Sequence, residues 1–321
     1  MIAVTGAAGF IGSCFVKKLN DEGHKDVLVI DTLEQDERWK NLVGKQFITI
    51  EHPEEFRRKC IDTYSSSDVS AIVHMGACSS TTEKNADYLL DNNYRYSIAL
   101  AEFAEKHSIP FLYASSAATY GAGEQGYDDG LGAGLRPLNM YGYSKQLFDE
   151  WMIRTGLIES AIGIKFFNVF GPNEYHKAGM ASMIFKAWKQ IRENGSISLF
   201  KSNTEEYADG GQMRDFIYVK DACEVMWKML NSQSPKGLVN LGTGKARSWN
   251  DLAHAVFSSL NMTAHINYVD MPESLQGQYQ NYTQAEMSKL QHSAASHTFM
   301  ELEESVADYV TAYLEKSISY Y

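Results

Sequence analysis

A chain of 321 residues with a formal net charge of −11 is long enough for one large domain or two unequal ones with an ample core. The acidic balance argues against a nucleic-acid binder, which needs an extended basic face, although a few local Lys, Arg and backbone N–H groups still suit an anionic small molecule. Cys14, Cys60, Cys78 and Cys223 are scattered, with no CxxC and no metal-ligand spacing to a histidine, so structural disulfides and a zinc site are not expected and a reducing compartment is.

The opening string "MIAVTGAAGFIG" lacks the basic region and cleavage site of a secretory leader, and no apolar run approaches the ~18 residues of a membrane span. A soluble, cytoplasmic protein is expected. In chain order, short apolar runs at 2–5, 27–31, 71–75, 111–115 and 161–167 alternate with helical-period segments at 10–22, 87–107 and 142–155. That rhythm predicts an α/β fold, a Rossmann-type doubly wound parallel sheet. Strands of such a sheet are buried on both faces, which accounts for runs that are nearly all apolar instead of alternating.

After Gly171-Pro172 the rhythm loosens into a helix near 180–194, a polar loop at 201–214 and a mixed tail, read as a smaller, interleaved C-terminal substrate-binding domain. "DFIYV" at 215–219, with a helix at 220–231, and "LVNLGTG" at 238–244 read as additions to the first sheet. The expected division is therefore 1–170 plus about 215–245 for the dinucleotide and mainly 171–214 and 246–321 for the substrate.

Gly6, Gly9 and Gly12 form a GxxGxxG directly after the first strand and at the mouth of the first helix. Glycines there permit a tight turn, close approach to a pyrophosphate and close helix–sheet packing, while the helix N-terminus favours negative charge. Asp31, at the end of the second strand, suits the ribose hydroxyls of NAD, whereas Arg38 suits the 2′-phosphate of NADP; the two signals conflict. Tyr141 and Lys145 stand at i and i+4 on one helical face. The 19 tyrosines and 20 lysines of the chain would give about one such pair by chance, so position decides. The pair follows a strand that ends in "ASSAATYG", with Ser116 at the carboxyl end of the sheet, where ligands of open α/β sheets bind. An ammonium beside Tyr141 would lower the phenol's pKa toward that of a useful base.

The glycine loop, the serine before "ATYG" and YxxxK together resemble the extended short-chain dehydrogenase/reductases of the nucleotide-sugar branch. Within that branch "HMGACSSTTE" 74–83, "PFLYASSAATYG" 110–121, "PLNMYGYSKQLFDE" 137–150, "FFNVFGPNEYHKAGMAS" 166–182, "RDFIYV" 214–219 and "GQYQNYTQAE" 277–286 are similar to the ADP-glyceromanno-heptose 6-epimerase family over nearly the whole chain. The resemblance implies inversion of one heptose carbon, C6, in a lipopolysaccharide core precursor: removal of a hydride to tightly held NADP, a ketone, and return of the hydride to the other face. It also implies a homo-oligomer, a pentamer in the family's manner, and an ADP-sugar substrate, while the acidic charge and the lack of a long apolar run leave no nucleic-acid or membrane partner expected.

The resemblance further implies roles for single residues. Lys177 corresponds to a second proton acceptor beside Tyr141, Lys145 and Ser116. Phe10, Ile11, Asp31, Thr32, Arg38, Met75, Gly76, Ala77, Cys78, Ser79, Asn92, Lys145, Val169 and Lys177 match cofactor positions. Asn168, Gly179, Lys186, Phe200, Lys201, Ser202, Asn203, Arg214 and Tyr279 match positions at the ADP-sugar, with Arg214 the natural partner of the diphosphate. Several positions depart from the family: Arg38 stands for Lys, Pro53 for a cofactor-contacting Lys, Met75 for Glu, Gly179 lacks a hydroxyl, and the loop 203–213 is longer. His176 has no assigned part. The alternatives are a UDP- or dTDP-sugar 4-epimerase, or an idle dinucleotide sensor, which the intact Ser116, Tyr141 and Lys145 disfavour. Ala117-Ala118 after Ser116 disfavours a dehydratase, whose acidic residues would stand there.

Overall fold

A computed structural model describes residues 1–273, 279–316 and 320–321; Gly277 and Gln278 of the 277–286 string lie outside them. The strands are β1 (Ile2–Thr5), β2 (Val27–Ile30), β3 (Thr49–Glu51), β4 (Ala71–His74), β5 (Phe111–Ser116), β6 (Ile162–Phe166), β7 (Asn168–Phe170), β8 (Ile197–Phe200), β9 (Met213–Tyr218), β10 (Gly237–Leu241), β11 (Ala246–Ser248) and β12 (Ile266–Val269). The helices used below are α1 (Phe10–Asp21), α2 (Pro53–Asp62), α3 (Ala86–Leu89), α4 (Tyr96–Lys106), α5 (Met140–Thr155), α6 (Met183–Asn194), α7 (Val219–Ser232) and α8 (Trp249–Ser259).

Seven strands form one sheet in the order β10-β6-β5-β4-β1-β2-β3, every pair parallel. Alternation along each strand divides the side chains between two cores. Val4, Val29, Val73 and Leu112 face one core with Phe15 of α1 and Met226 of α7, while Ala3, Leu28, Ile72 and Phe111 face the other with Phe56 of α2, Leu100 of α4 and Phe148 of α5. Both faces are covered, as the unbroken apolar runs require. β3 escapes sequence reading because it is a three-residue edge strand with two of its residues exposed, so its pattern is weak. Pro53 takes the first turn of α2, where a missing N–H costs nothing.

The 215–219 run corrects one expectation. β10 joins the large sheet beside β6 as read, but β9 does not; it pairs parallel with β7 and antiparallel with β11 in a separate three-stranded sheet. The chain leaves β6 at Phe167 and at once enters β7, which turns out of the large sheet and templates β9. An apolar run does not state its partner, so the sequence pattern alone fits either sheet. β8 and β12 form a further parallel pair.

Strand order reverses between β1 and β4, the crevice where doubly wound sheets bind ligands. A hydrogen-bonded chain crosses this seam. Gly76 N–H donates to Thr5 Oγ1 at 3.0 Å, Thr5 Oγ1 lies 2.6 Å from His74 Nδ1, His74 Nε2 lies 2.8 Å from Ser97 Oγ, and Ser97 donates to the Asn93 carbonyl at 2.7 Å. Since Ser97 donates onward, His74 donates through Nε2 and accepts from Thr5 through Nδ1. Burial pushes the His74 imidazole down to about 3, which keeps it neutral in this relay. A histidine depressed in the folded state contributes stability that is full above its unfolded value near 6.5 and is lost as pH falls toward 3. The stability gap between wild type and a non-titrating His74→Asn variant, measured by denaturant unfolding, should therefore shrink by about 2 kcal/mol between pH 7.5 and pH 5.

Candidate active site

The glycine loop leaves β1 through Gly6, whose φ is +65°, and a Cβ built there would lie 2.6 Å from the Gly76 nitrogen. A Cβ on Gly12 would lie 2.1 Å from the Gly6 carbonyl oxygen, so the helix packs against the loop at backbone distance. Gly9 is the N-cap of α1, with no side chain capping the helix, which leaves N–H groups directed at the crevice. Asp31 Oδ2 accepts from the Ala8 N–H at 2.7 Å and Oδ1 from the Thr32 N–H at 2.8 Å. Burial raises the Asp31 carboxyl above its ordinary value, against the lowering by the Ala8 N–H and Arg38. Arg38 Nη1 comes to 3.9 Å from Asp31, yet its stronger ties are to Asp36, with Nε–Oδ1 at 2.9 Å and Nη2–Oδ2 at 2.7 Å. This cradle fits a dinucleotide, and it sets the Asp31 carboxylate and the Arg38 guanidinium beside the glycine loop.

Ser116 ends β5 and accepts at Oγ from the Ala118 N–H at 3.1 Å. α5 starts at Asn139, whose side chain accepts from the Gly142 N–H, and its first turn brings Tyr141 to where the Ser116 side chain acts to lower the phenol's pKa. Burial raises the Tyr141 phenol above its ordinary value, and Ser116 is the opposing influence. Lys145 donates from Nζ to the Ala114 carbonyl at 2.7 Å. Burial pushes it down to about 8, against the pull of Asp149. A π turn at Leu90–Arg95 then sets Asn93 beside this pair. Asn93 accepts from Cys78 N–H at 2.9 Å, donates to the Cys78 carbonyl at 3.0 Å and donates to Ser144 Oγ at 3.0 Å. It thus locks the segment 75–79 to α5, while Asn92 donates to Asn93 Oδ1.

The turn Tyr175–Met180 carries Lys177, whose Nζ stands 5.5 Å from the Phe10 ring centroid at the glycine loop. Burial lowers the Lys177 pKa, Glu174 opposes this and Lys186 reinforces it. Glu174 is itself buried and accepts from Ser182 Oγ at 2.7 Å and from the Gly171 N–H at 3.3 Å. Lys186 donates to the Gly179 carbonyl at 2.6 Å. His176 acquires a role that spacing could not reveal: its Nδ1 lies 3.3 Å from Asn41 Nδ2, and Asn41 also donates to the Ala8 and Asn173 carbonyls. The histidine docks the Lys177 turn onto the dinucleotide loop.

Arg214, 6% exposed, lies in an aromatic cage, its guanidinium carbon 5.1 Å from the Tyr279 ring and 5.6 Å from the Trp249 ring. Trp249 Nε1 donates to the Tyr279 hydroxyl at 2.8 Å, and Phe200 meets Tyr279 edge-on at 6.4 Å. Burial lowers the guanidinium's pKa, and tyrosines are the groups that oppose this; among the described residues no carboxylate pairs with it. Lys201, by contrast, is exposed and paired with Asp270 at 2.9 Å, and Ser202 bonds within its own loop to Thr204. Asn203 and Gly179 are exposed, as is Asn168 on β7, with Val169 half-buried beside it.

Residues 2–242 match the NAD dependent epimerase/dehydratase family. The chain belongs to this family. It is 51% identical over 316 residues to an ADP-L-glycero-D-manno-heptose-6-epimerase of Nitratidesulfovibrio vulgaris, covering 98% of both chains. It is 44% identical to the Fusobacterium nucleatum protein of the same name, covering 100% of both. Among solved structures, the Helicobacter pylori ADP-L-glycero-D-manno-heptose-6-epimerase aligns with a TM-score of 0.79 at 26% identity, over 97% of this chain and 95% of that one. The Thermus thermophilus UDP-glucose 4-epimerase, at 22% identity and a TM-score of 0.76 over 96% of this chain and 97% of that one, shares the fold.

In this epimerase-family chain, sequence reasoning missed Trp249, Glu174, Asn41 and Asn93. Each is an ordinary residue type in an ordinary setting, and each acquires its part only from a neighbour more than ten residues away or from burial. The glycine loop is directly testable. Gly6→Ala combines left-handed backbone with a clash, whereas Gly23→Ala, at φ +88° with nothing within 4 Å, carries the backbone strain alone. Extraction of copurifying dinucleotide should find it lost from Gly6→Ala and retained by Gly23→Ala; equal retention would remove the cradle assignment.

Proposed function

We propose that this chain is an isomerase that inverts C6 of the heptose in ADP-D-glycero-D-manno-heptose, giving ADP-L-glycero-D-manno-heptose for lipopolysaccharide core synthesis. The observation that carries this reading is 51% identity over 98% of both chains with a relative of that name. A bound nicotinamide dinucleotide supplies reversible oxidation of the C6 carbinol to a planar ketone. Gly6, Gly9 and Gly12 would admit its pyrophosphate, Asp31 and Arg38 would hold its ribose end, and Arg38 is the residue that would take the 2′-phosphate of NADP, the form favoured in this reading. Residues 1–170 with β10 serve the cofactor, and the elements around Arg214 serve the sugar nucleotide.

In this reading Tyr141 takes the proton of the C6 hydroxyl while Ser116 hydrogen-bonds the same oxygen, and Lys145 favours the phenolate from within a buried site. Inversion requires reduction of the opposite carbonyl face. Either the intermediate turns over one tyrosine, or a second group holds the oxygen in its other orientation. Lys177 serves as that second group, because its amine stands at the glycine loop beside Phe10 and burial lowers its pKa, which favours proton exchange. Arg214, a buried cation with no carboxylate partner among the described residues, anchors the diphosphate by bidentate bonding; its aromatic cage fixes the plane of the fork. A cytoplasmic homopentamer accords with the family resemblance, and four cysteines outside any disulfide accord with a reducing compartment.

Incubating the purified protein with either ADP-heptose epimer and separating the products tests the activity; absence of interconversion in both directions sinks it. Tyr141→Phe and Lys177→Ala should each lower kcat by roughly 10²–10⁴-fold, and undiminished two-way turnover in Lys177→Ala would remove the second-base role. Arg214→Ala should raise KM by about 10- to 100-fold, the loss of a charge-assisted hydrogen-bond pair, with a smaller change in kcat. Identification of the extracted dinucleotide should give NADP in wild type, and Arg38→Ala should shift the ratio toward NAD.

A further inference from the structure

The turn that carries Lys177 is conformationally unusual. Asn173, fully buried, has φ +75°, and Ala178 has φ +46°. Asparagine enters positive φ more readily than other residues with a Cβ, whereas alanine holds such a φ only where its surroundings over-determine it. Glu174 and Asn41, described above, supply part of that constraint. The rest comes from a distant dipeptide.

Tyr321 grips the Asn173 carboxamide in the manner of one peptide group pairing with another. Its N–H donates to Asn173 Oδ1 at 2.9 Å, and its carbonyl accepts from Asn173 Nδ2 at 3.0 Å. The same Nδ2 donates to Ser13 Oγ of α1 at 2.9 Å, so the carboxamide joins Tyr321 to the helix that opens at the glycine loop. Lys45 Nζ donates to the Tyr321 carbonyl as well. The Tyr321 ring receives Lys17 at 5.4 Å and Lys220 at 5.3 Å and meets Tyr313 edge-on at 6.3 Å. Tyr320 completes the attachment, its ring set edge-on to Tyr175, two residues before Lys177, at 5.4 Å and 83°.

We infer that Tyr320 and Tyr321 form a strap that positions the Lys177 turn against the dinucleotide loop. The strap touches Asn173, two residues ahead of the turn, and Tyr175, the turn's first residue, and fastens both to α1 and α7 by cations seated on Tyr321. Neither tyrosine meets the reacting atoms; both are positioning residues. Their effect passes through the burial and direction of the Lys177 amine. The inference rests on the proposed part of Lys177 in the reaction.

Tyr320→Ala removes the ring contact with little change elsewhere, and Tyr320→Phe keeps it. In the ADP-heptose interconversion assay, Tyr320→Ala should lower kcat by about 10- to 100-fold, the scale of a small misplacement of a reacting group, with KM changed less than about twofold on that scale. The basic limb of its kcat–pH profile should move upward as Lys177 regains water, and Tyr320→Phe should restore both rate and profile. A second variant lacking residues 320–321 should exchange the amides of 173–180 faster in hydrogen–deuterium exchange, with those of 2–5 and 111–116 unchanged. Wild-type kinetics and exchange in the alanine and truncated variants would overturn the strap, as would a loss that phenylalanine does not restore. Lys177→Ala, run alongside, separates the two ideas: if it is crippled while Tyr320→Ala is not, the strap alone fails, and if it turns over normally in both directions, the part of Lys177 and the strap fail together.

Discussion

The close approach of Gly6 to Gly76 is the constraint on which the site depends. β1 and β4 are neighbours at the point where the strand order reverses, and their loops diverge to opposite sides only if the two backbones pass each other without side chains between them. The Thr5–His74–Ser97 chain spans the same seam with a neutral imidazole, fixing the depth of β4 and, through Asn93, the position of the π turn. From there one amide ties the segment 75–79 to α5. The glycine loop, the β4 loop and the Tyr141 helix are thereby assembled by polar bonds that are themselves buried, where an unmet bond is costly.

A second theme is the treatment of positive charge in an acidic protein. Lys165 and Asp149 form a wholly buried pair at 3.2 Å, and Asp149 also accepts from Ser115 and Tyr113, so this charge is spent on holding β5 and β6 to α5. Lys145, Lys177 and Arg214 are different. Lys145 and Arg214 are buried and Lys177 is half-buried; burial is the leading influence on each and it lowers all three. Lys145 is met by a carbonyl and Arg214 by aromatic faces and a carbonyl. Buried cations held this way are poised either to exchange a proton or to receive an anion. A nucleotide-sugar enzyme that must both move protons and hold a diphosphate needs those two capacities, and a net charge of −11 elsewhere on the chain does not compromise them.

How much was legible beforehand depends on the range of the physics. The parallel sheet, the Gly6–Gly9–Gly12 loop, Asp31 at a strand end and the Tyr141/Lys145 spacing are all visible in short windows. β9 was misassigned and β3 overlooked, because hydrogen-bond partners and edge positions leave no mark in a run of four to six residues. Lys201, Ser202 and Asn203, carried over by resemblance, lie on an exposed loop that bonds largely to itself, whereas Phe200 and Tyr279 do converge on Arg214. The i, i+4 spacing places Tyr141 and Lys145 on one face, but the Ala114 carbonyl decides where the ammonium points.

By itself, then, the amino-acid order determined what neighbours within a few residues can enforce: turn geometry at glycines, helix starts at Asn139 and Ser182, the alternation that sends apolar residues to two faces. Only the tertiary structure decided which of the polar residues work together. Trp249 and Tyr279 acquire meaning around Arg214, His176 around Asn41, and Tyr321 around Asn173, each across a long loop of chain. Backbone conformation is a local property, whereas desolvation and pairing depend on everything packed around a group, and those are what turn an ordinary lysine or arginine into a working one.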